Sequence, residues 1–176
     1  MGIDPGTNFT GFGIISVCGR QLELVDFGFI ELSKKKNAYE KLKEIFHKVS
    51  DLVDYYDPHE VAFESPFFGE NVQSMLKLGR AQGVAMAAAL TKGKEVFEYA
   101  PRKVKLSITG TGGASKEQVA SLLGKMFKLT ELPANLDSTD GIAVAVCHYY
   151  QSIAVIKTSG KSSWNDFVKN NTGRVK

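Results

Sequence analysis

The sequence predicts an α/β domain in which a β-meander leads into alternating helices and strands. Two β-rich runs, Phe9–Val17 and Leu22–Leu32, are separated only by Cys18-Gly19-Arg20-Gln21, as in an antiparallel hairpin. From Tyr39 the period changes: Leu42, Ile45, Phe46, Val49, Leu52, Val53 and Tyr56 recur every three or four residues, the mark of an amphipathic helix. Short apolar runs then return at Val61-Ala62-Phe63 and Glu95–Tyr99, between helix-like stretches. With 176 residues and 43% hydrophobic content, the chain can bury one sizeable core.

The elements follow in order. A first strand ends at Asp4, where Pro5-Gly6 signals a tight turn. The helix from Tyr39 stops before Pro58, because a residue preceding proline disfavours helical geometry. Val61-Ala62-Phe63 forms a short buried strand that delivers Glu64 at its carboxyl end, and Pro66 prevents the ladder from continuing. Asn71 to Leu90 is helical and rich in small residues (Gly79, Ala81, Gly83, Ala85, Ala87, Ala88, Ala89), which suits close helix packing or a dimer seam. Glu95–Tyr99 is a further strand, Pro101–Ile108 a short helix, and Thr109-Gly110-Thr111-Gly112-Gly113 a loop before a helix over Lys116–Lys128. The last helix runs from about Asp137 to Ile156. Residues 1–156 are thus the folded domain, and the polar, basic stretch 157–176 is expected to be a flexible tail with Trp164 and Phe167 as its only large apolar residues.

Composition excludes several classes. No apolar run is long enough to span a bilayer, and the opening lacks the basic stretch, apolar core and cleavage site of a signal peptide. A cytoplasmic protein is expected, with Cys18 and Cys147 packed as free thiols. These cysteines and three histidines are too few and too scattered for a zinc site, so any metal should be oxygen-bound. The net charge of +3 conceals a segregation: residues 92–128 carry eight Lys and Arg against three Asp and Glu. The basic block Lys92, Lys94, Arg102, Lys103, Lys105, Lys116 and Lys125 could track phosphates or simply be a solvated face.

Four acids stand where apolar runs begin or end: Asp4, Glu64, Asp137 and Asp140. Each alone has an ordinary explanation, as a turn cap, a surface acid or a residue favoured at a helix N-terminus. The last two are the most telling. A spacing of three puts both on one face of the first turn, yet Ile142-Ala143-Val144-Ala145-Val146 is apolar all round, so the helix is buried and its acids should point inward. Like charges so placed repel, and a divalent cation offsets that repulsion. Mg²⁺ suits carboxylate oxygens better than Ca²⁺ or Zn²⁺.

Four ordered blocks, GIDPGTNFTGFG, AFESPF with Asn71 and KLGRAQGVA, YAPRKVKLSITGTGGASKEQV, and DSTDGIAVAVCHY, together resemble RuvC-type Holliday junction resolvases over about Gly2 to Tyr150. A GIDPGT opening alone also occurs in the actin-like ATPase superfamily, but that architecture needs two such domains and a second phosphate loop. A related ribonuclease-H-like enzyme of the YqgF group, acting on RNA, would share the acids but not all four blocks. A junction-binding protein without activity would not need every acid.

The resemblance implies a ribonuclease-H-like nuclease domain: a five-stranded mixed sheet of order 3-2-1-4-5 with helices on both faces, acting as a homodimer. It also implies a structure-specific endonuclease that resolves four-way junction DNA by paired symmetric nicks and works with a branch-migration complex of the RuvA and RuvB type. Asp4, Glu64, Asp137 and Asp140 match the family's four catalytic, metal-binding acids. They would hold two Mg²⁺, with Mn²⁺ a substitute, one activating water for in-line attack and one stabilising the leaving 3′-oxygen. Lys105 and Lys116 match lysines placed near the scissile DNA. Phe67 matches a base-stacking aromatic, with Phe68 beside it, although either ring could instead anchor the loop in the core. Where the family usually has several apolar residues before the first glycine, only Met1 precedes Gly2 here, so the central strand should be short. His148 is read as a packed residue at the core edge.

Overall fold

The β-meander is built around a central strand of three residues. In the computed structural model, which describes residues 1–35, 37–66, 71–131, 133 and 135–159, with side chains to 153, β1 (Gly2–Asp4) pairs antiparallel with β2 (Phe9–Cys18) and parallel with β4 (Glu60–Glu64). β3 (Gln21–Glu31) closes the hairpin with β2, and β5 (Glu95–Tyr99) lies parallel to β4. The sheet order is β3-β2-β1-β4-β5, as expected.

The helices form where caps and periodicity place them. Asn37 caps α1 (Ala38–Tyr56) by accepting the Glu40 N–H at 2.9 Å, and Asn71 caps α2 (Val72–Thr91) by accepting that of Ser74 at 3.1 Å. Pro101 opens α3 (Pro101–Thr109), and Ser115 with Gln118 forms a capping box on α4 (Lys116–Phe127). α5 runs over Asp137–Ser159, one turn's length past the expected end.

Two cores lie on the two faces of the sheet. Ile3, Ile30, Val61 and Phe63 pack against Ile45, Val49 and Val53 of α1 and Ala81, Ala85 and Ala88 of α2. Ala62 and Tyr99 face the other way, with Ile142, Val144 and Val146 of α5 and Val104, Val119 and Leu123 of α3 and α4. Alternation along β4 therefore sends Glu64, in phase with Ala62, toward α5.

α5 approaches the sheet unusually closely because glycines meet there. A β-carbon on Gly2, Gly11, Gly13 or Gly141 would lie under 3.0 Å from main-chain atoms of the opposing element. The GxG spacing in β2 thus puts both small positions on the face that receives α5.

One expectation needs correction. Cys147 is buried, but Cys18 is exposed, since β2 runs out past the core into the hairpin turn. Three members of the basic block have local partners. Lys92 and Lys94 reach back to Asp54 and Asp57 at the end of α1, each at 2.5 Å, and Lys103 lies over the Tyr99 ring. Residues 160–176, most of the expected tail, lie outside the described residues. Among those described, no helix is long and apolar enough to cross a membrane.

Candidate active site

The four acids come together at one end of the sheet. Asp4 closes β1 at the clasped turn, where Thr10 Oγ1 accepts from Gly6 N–H at 3.3 Å and donates to Gly6 O at 3.2 Å. Glu64 closes the neighbouring parallel strand β4. Asp137 and Asp140 occupy the first turn of α5, whose start is fixed by Asn135: its Oδ1 accepts the Asp137 N–H at 3.0 Å, and its carbonyl accepts the Ser138 hydroxyl at 2.7 Å.

Lys116, the first residue of α4, joins the cluster from outside. Its Nζ donates to Asp137 Oδ1 at 3.1 Å and to Asp140 Oδ2 at 2.5 Å. Side-chain exposures of 33% for Asp137 and 14% for Asp140 show one acid facing outward and one recessed. Lys105 on α3 is close enough for its charge to act on both Glu64 and Asp140.

The electrostatics are those of massed negative charge. Burial first, then the charges of Asp140 and Asp137, push the Asp4 carboxyl up to about 7, against the opposing pull of Lys116. Burial, Asp4 and Asp140 push Glu64 up to about 8. Asp140 is also raised, mainly by burial, although Lys116 works against it. Burial lowers the Lys116 ammonium's pKa, but its bonds to Asp140 and Asp137 outweigh that and hold it above the usual lysine range.

As the side chains stand, no three His, Cys, Asp or Glu residues among those described are arranged to coordinate a metal together. Lys116 is the positive charge between the two helical acids. The donor chemistry nonetheless fits a hard divalent cation, since the converging groups are carboxylates whose mutual repulsion such an ion would relieve.

Six of the eight residues singled out in the sequence are therefore placed: the four acids and Lys116 in one cluster, with Lys105 at its edge. Phe67 and Phe68 lie outside the described residues. His148 is buried as expected, with Nδ1 at 2.7 Å from Tyr99 Oη and Nε2 at 2.7 Å from Glu60 Oε2. Glu60 opens β4 and Glu64 closes it, so His148 belongs to the other end of that strand. A cavity of about 630 Å³ lined by Ile14, Val17, Tyr56 and His148 lies there too, away from the acids. Sequence reasoning missed Asn135, signalled only by an asparagine just ahead of Asp-Ser-Thr, and the buried Gln82, which had no signal in a run of small residues.

Comparison with known proteins agrees with this geometry. Residues 1–148 match the profile of the family described as crossover junction endodeoxyribonuclease RuvC. The chain is 54% identical over its full length to a crossover junction endodeoxyribonuclease RuvC of Cytophaga hutchinsonii, covering 87% of that protein. It is 51% identical over its full length to that of Bacteroides fragilis, covering 95%. Among solved structures, Thermus thermophilus RuvC in complex with Holliday junction substrate superposes with a TM-score of 0.79 at 31% identity, over 86% of this chain and 92% of that one. The ribonuclease-H-like fold that the resemblance implied is thereby shown, and the chain belongs to the RuvC family of crossover junction endodeoxyribonucleases.

Proposed function

We propose that Asp4, Glu64, Asp137 and Asp140 hold the divalent cations with which this RuvC-family endonuclease hydrolyses phosphodiesters at four-way DNA junctions, cutting paired strands symmetrically in recombination and repair. The observation that carries the reading is the convergence of four carboxylates from β1, β4 and α5, with Asp4 raised to about 7 and Glu64 to about 8. Structural acids are normally placed to avoid such repulsion, so its presence points to a ligand that relieves it. The oxygen-only donor set suits Mg²⁺, two ions per site, with Mn²⁺ as a substitute. When bound, such ions supply Lewis-acid charge at the attacking and leaving oxygens.

The chain's own residues supply position. The close-packed α5 holds Asp140 recessed against Asp4, while Lys116 and Lys105 bring two ammonium groups to the rim, where a phosphodiester must lie to reach the acids. A synthetic four-way junction incubated with the protein and Mg²⁺ should yield paired symmetric nicks. Preferential cutting of structured RNA would instead favour the YqgF-like reading.

The raised carboxyls make metal-free stability depend on pH. Asp4 and Glu64 have ordinary values of 3.8 and 4.5 and titrate near 7 and 8 in the fold. Between those limits the folded chain binds more protons than the unfolded one, so stability falls as pH rises. The melting temperature in EDTA should drop from pH 5 to pH 8, and Mg²⁺ should raise it more at pH 8. A flat profile would mean the carboxyls are not crowded.

Junction binding should rest on the lysines. Each phosphate contact released contributes about 0.9 to the slope of log affinity against log salt, so Lys105→Ala and Lys116→Ala should flatten that slope and slow cleavage. Phe67→Ala, if the ring stacks on a base, should slow cleavage with the slope unchanged, because stacking releases no ions. Equal slopes in all three variants would make the lysines plain surface.

A homodimer is part of the same proposal, since a four-way junction presents equivalent strands to a two-fold protein. The outward face of α2 supports it: Val72, Leu76, Gly79, Gly83, Ala87 and Leu90 are exposed along one stripe. Gly83→Leu or Ala87→Glu should shift the protein toward monomer in sizing and light scattering, and a variant that stays dimeric would move the seam elsewhere. A cytoplasmic location and cooperation with a branch-migration complex of the RuvA and RuvB type complete the proposal.

A further inference from the structure

Behind Glu64, on the face of the sheet away from α5, lies a buried polar side chain that the proposed site does not use. Gln82 of α2 is only 7% exposed. Its Nε2 donates to Glu98 Oε2 at 2.9 Å and lies 3.5 Å from the main-chain oxygen of Glu64. Glu98 sits on β5 opposite Phe63, and the same carboxylate oxygen is 3.5 Å from Ser65 Oγ. The Ser65 N–H donates to Tyr99 O at 2.9 Å. The last residue of β4 and the first beyond it are thus held from α2 and from β5, just where register pairing ends at Glu64 and Tyr99.

A primary amide so little exposed is costly unless its hydrogens are used. Here one NH₂ group faces two acceptors on two strands. The Glu64 carbonyl and its carboxylate share one α-carbon, so a backbone rotation that frees the first also swings the second. We propose that Gln82 is a positioning residue: by tying the Glu64 main chain to the Glu98 carboxylate it sets the direction in which Glu64 enters the acid cluster. This inference rests on the reading of Glu64 as a cation ligand.

The test uses the full-length protein in three measurements: Mn²⁺ binding by calorimetry without DNA, junction affinity in EDTA, and kcat for junction cleavage in Mg²⁺. Gln82→Leu keeps a similar length but cannot donate. It should weaken Mn²⁺ binding and lower kcat by about 10–100-fold, the range for groups that orient a metal ligand, while junction affinity stays at the wild-type value. Glu98→Gln, which keeps an acceptor for the amide, should remain near wild type in both. If Gln82→Leu does not fold, Gln82→Asn, one methylene short of both acceptors, is read the same way. Wild-type Mn²⁺ affinity and kcat in the folded variant, whatever its melting temperature, would overturn the proposal and leave Gln82 a packing residue. Glu64→Gln in the same calorimeter separates the two readings. If it binds Mn²⁺ like wild type, the ligand assignment of Glu64 fails and this inference with it; if it is impaired while Gln82→Leu is not, only this inference fails.

Discussion

Asp140→Asn is expected to abolish junction cleavage, by on the order of 10³-fold in rate or about 4 kcal/mol of transition-state stabilisation, while leaving junction binding nearly intact. The reason lies in where the carboxylate sits. Asp140 is the recessed member of the helical pair, and its charge acts on both Asp4 and Glu64. Removing it takes a hard oxygen donor from the centre of the cluster, yet leaves the lysines and the molecular shape that engage DNA. Loss of folding would mimic loss of activity, and the electrostatics separate the two. An amide at 140 relieves repulsion on Asp4 and Glu64 and gives up the charge of the 2.5 Å pair with Lys116, two opposed effects that should leave the variant folded, as a metal-free melt at pH 8 checks. Asp4→Asn, Glu64→Gln and Asp137→Asn should behave alike, and Asp137→Asn, like Asp140→Asn, also weakens a bond from Lys116. Cleavage at the wild-type rate by Asp140→Asn or Asp137→Asn in saturating Mg²⁺ would sink the four-acid site.

Much of this site was legible because its acids terminate patterned elements. Alternation carries Val61-Ala62-Phe63 into Glu64, and the apolar run after Asp140 shows that α5 is buried on all sides. Long-range pairings leave no such trace. Nothing near Lys92 and Lys94 announces that Asp54 and Asp57, at the far end of α1, pair with them. Cys18 looked packed because it ends an apolar run, but that strand outlasts the core it serves. Gln82 was hidden for the opposite reason. It lies in a stripe of small residues that carries no signal for it, and only the third dimension brings Glu98 and the Glu64 carbonyl to it. The glycines of β2 lie between these cases: their two-residue spacing is visible, but its purpose depends on Gly141, more than a hundred positions away.

Gly141→Ala should be among the most damaging single-methyl substitutions outside the acid cluster. A β-carbon at 141 would overlap the Phe12 main chain, where the neighbouring Gly13 already packs its own main chain against Ile142. Alanine is the better helix former by about 1 kcal/mol, which favours the variant. Overpacking a filled core costs about 1–3 kcal/mol, and sometimes more, and the obstacle here is backbone, which cannot change rotamer. The clash should therefore win by up to about 2 kcal/mol, lowering the melting temperature by as much as roughly 4–8 °C at this chain length. Gly113→Ala, where an added β-carbon meets nothing within 4 Å, should move it by little. The alternative relaxation is a shift of α5 off the sheet, which carries Asp137 and Asp140 away from Asp4 and Glu64. Cleavage at permissive temperature should then fall further than the folded fraction does. Calorimetry of both variants beside their cleavage rates decides the matter: if Gly141→Ala melts with Gly113→Ala and cuts as fast, the close approach of α5 is not what holds the acids together.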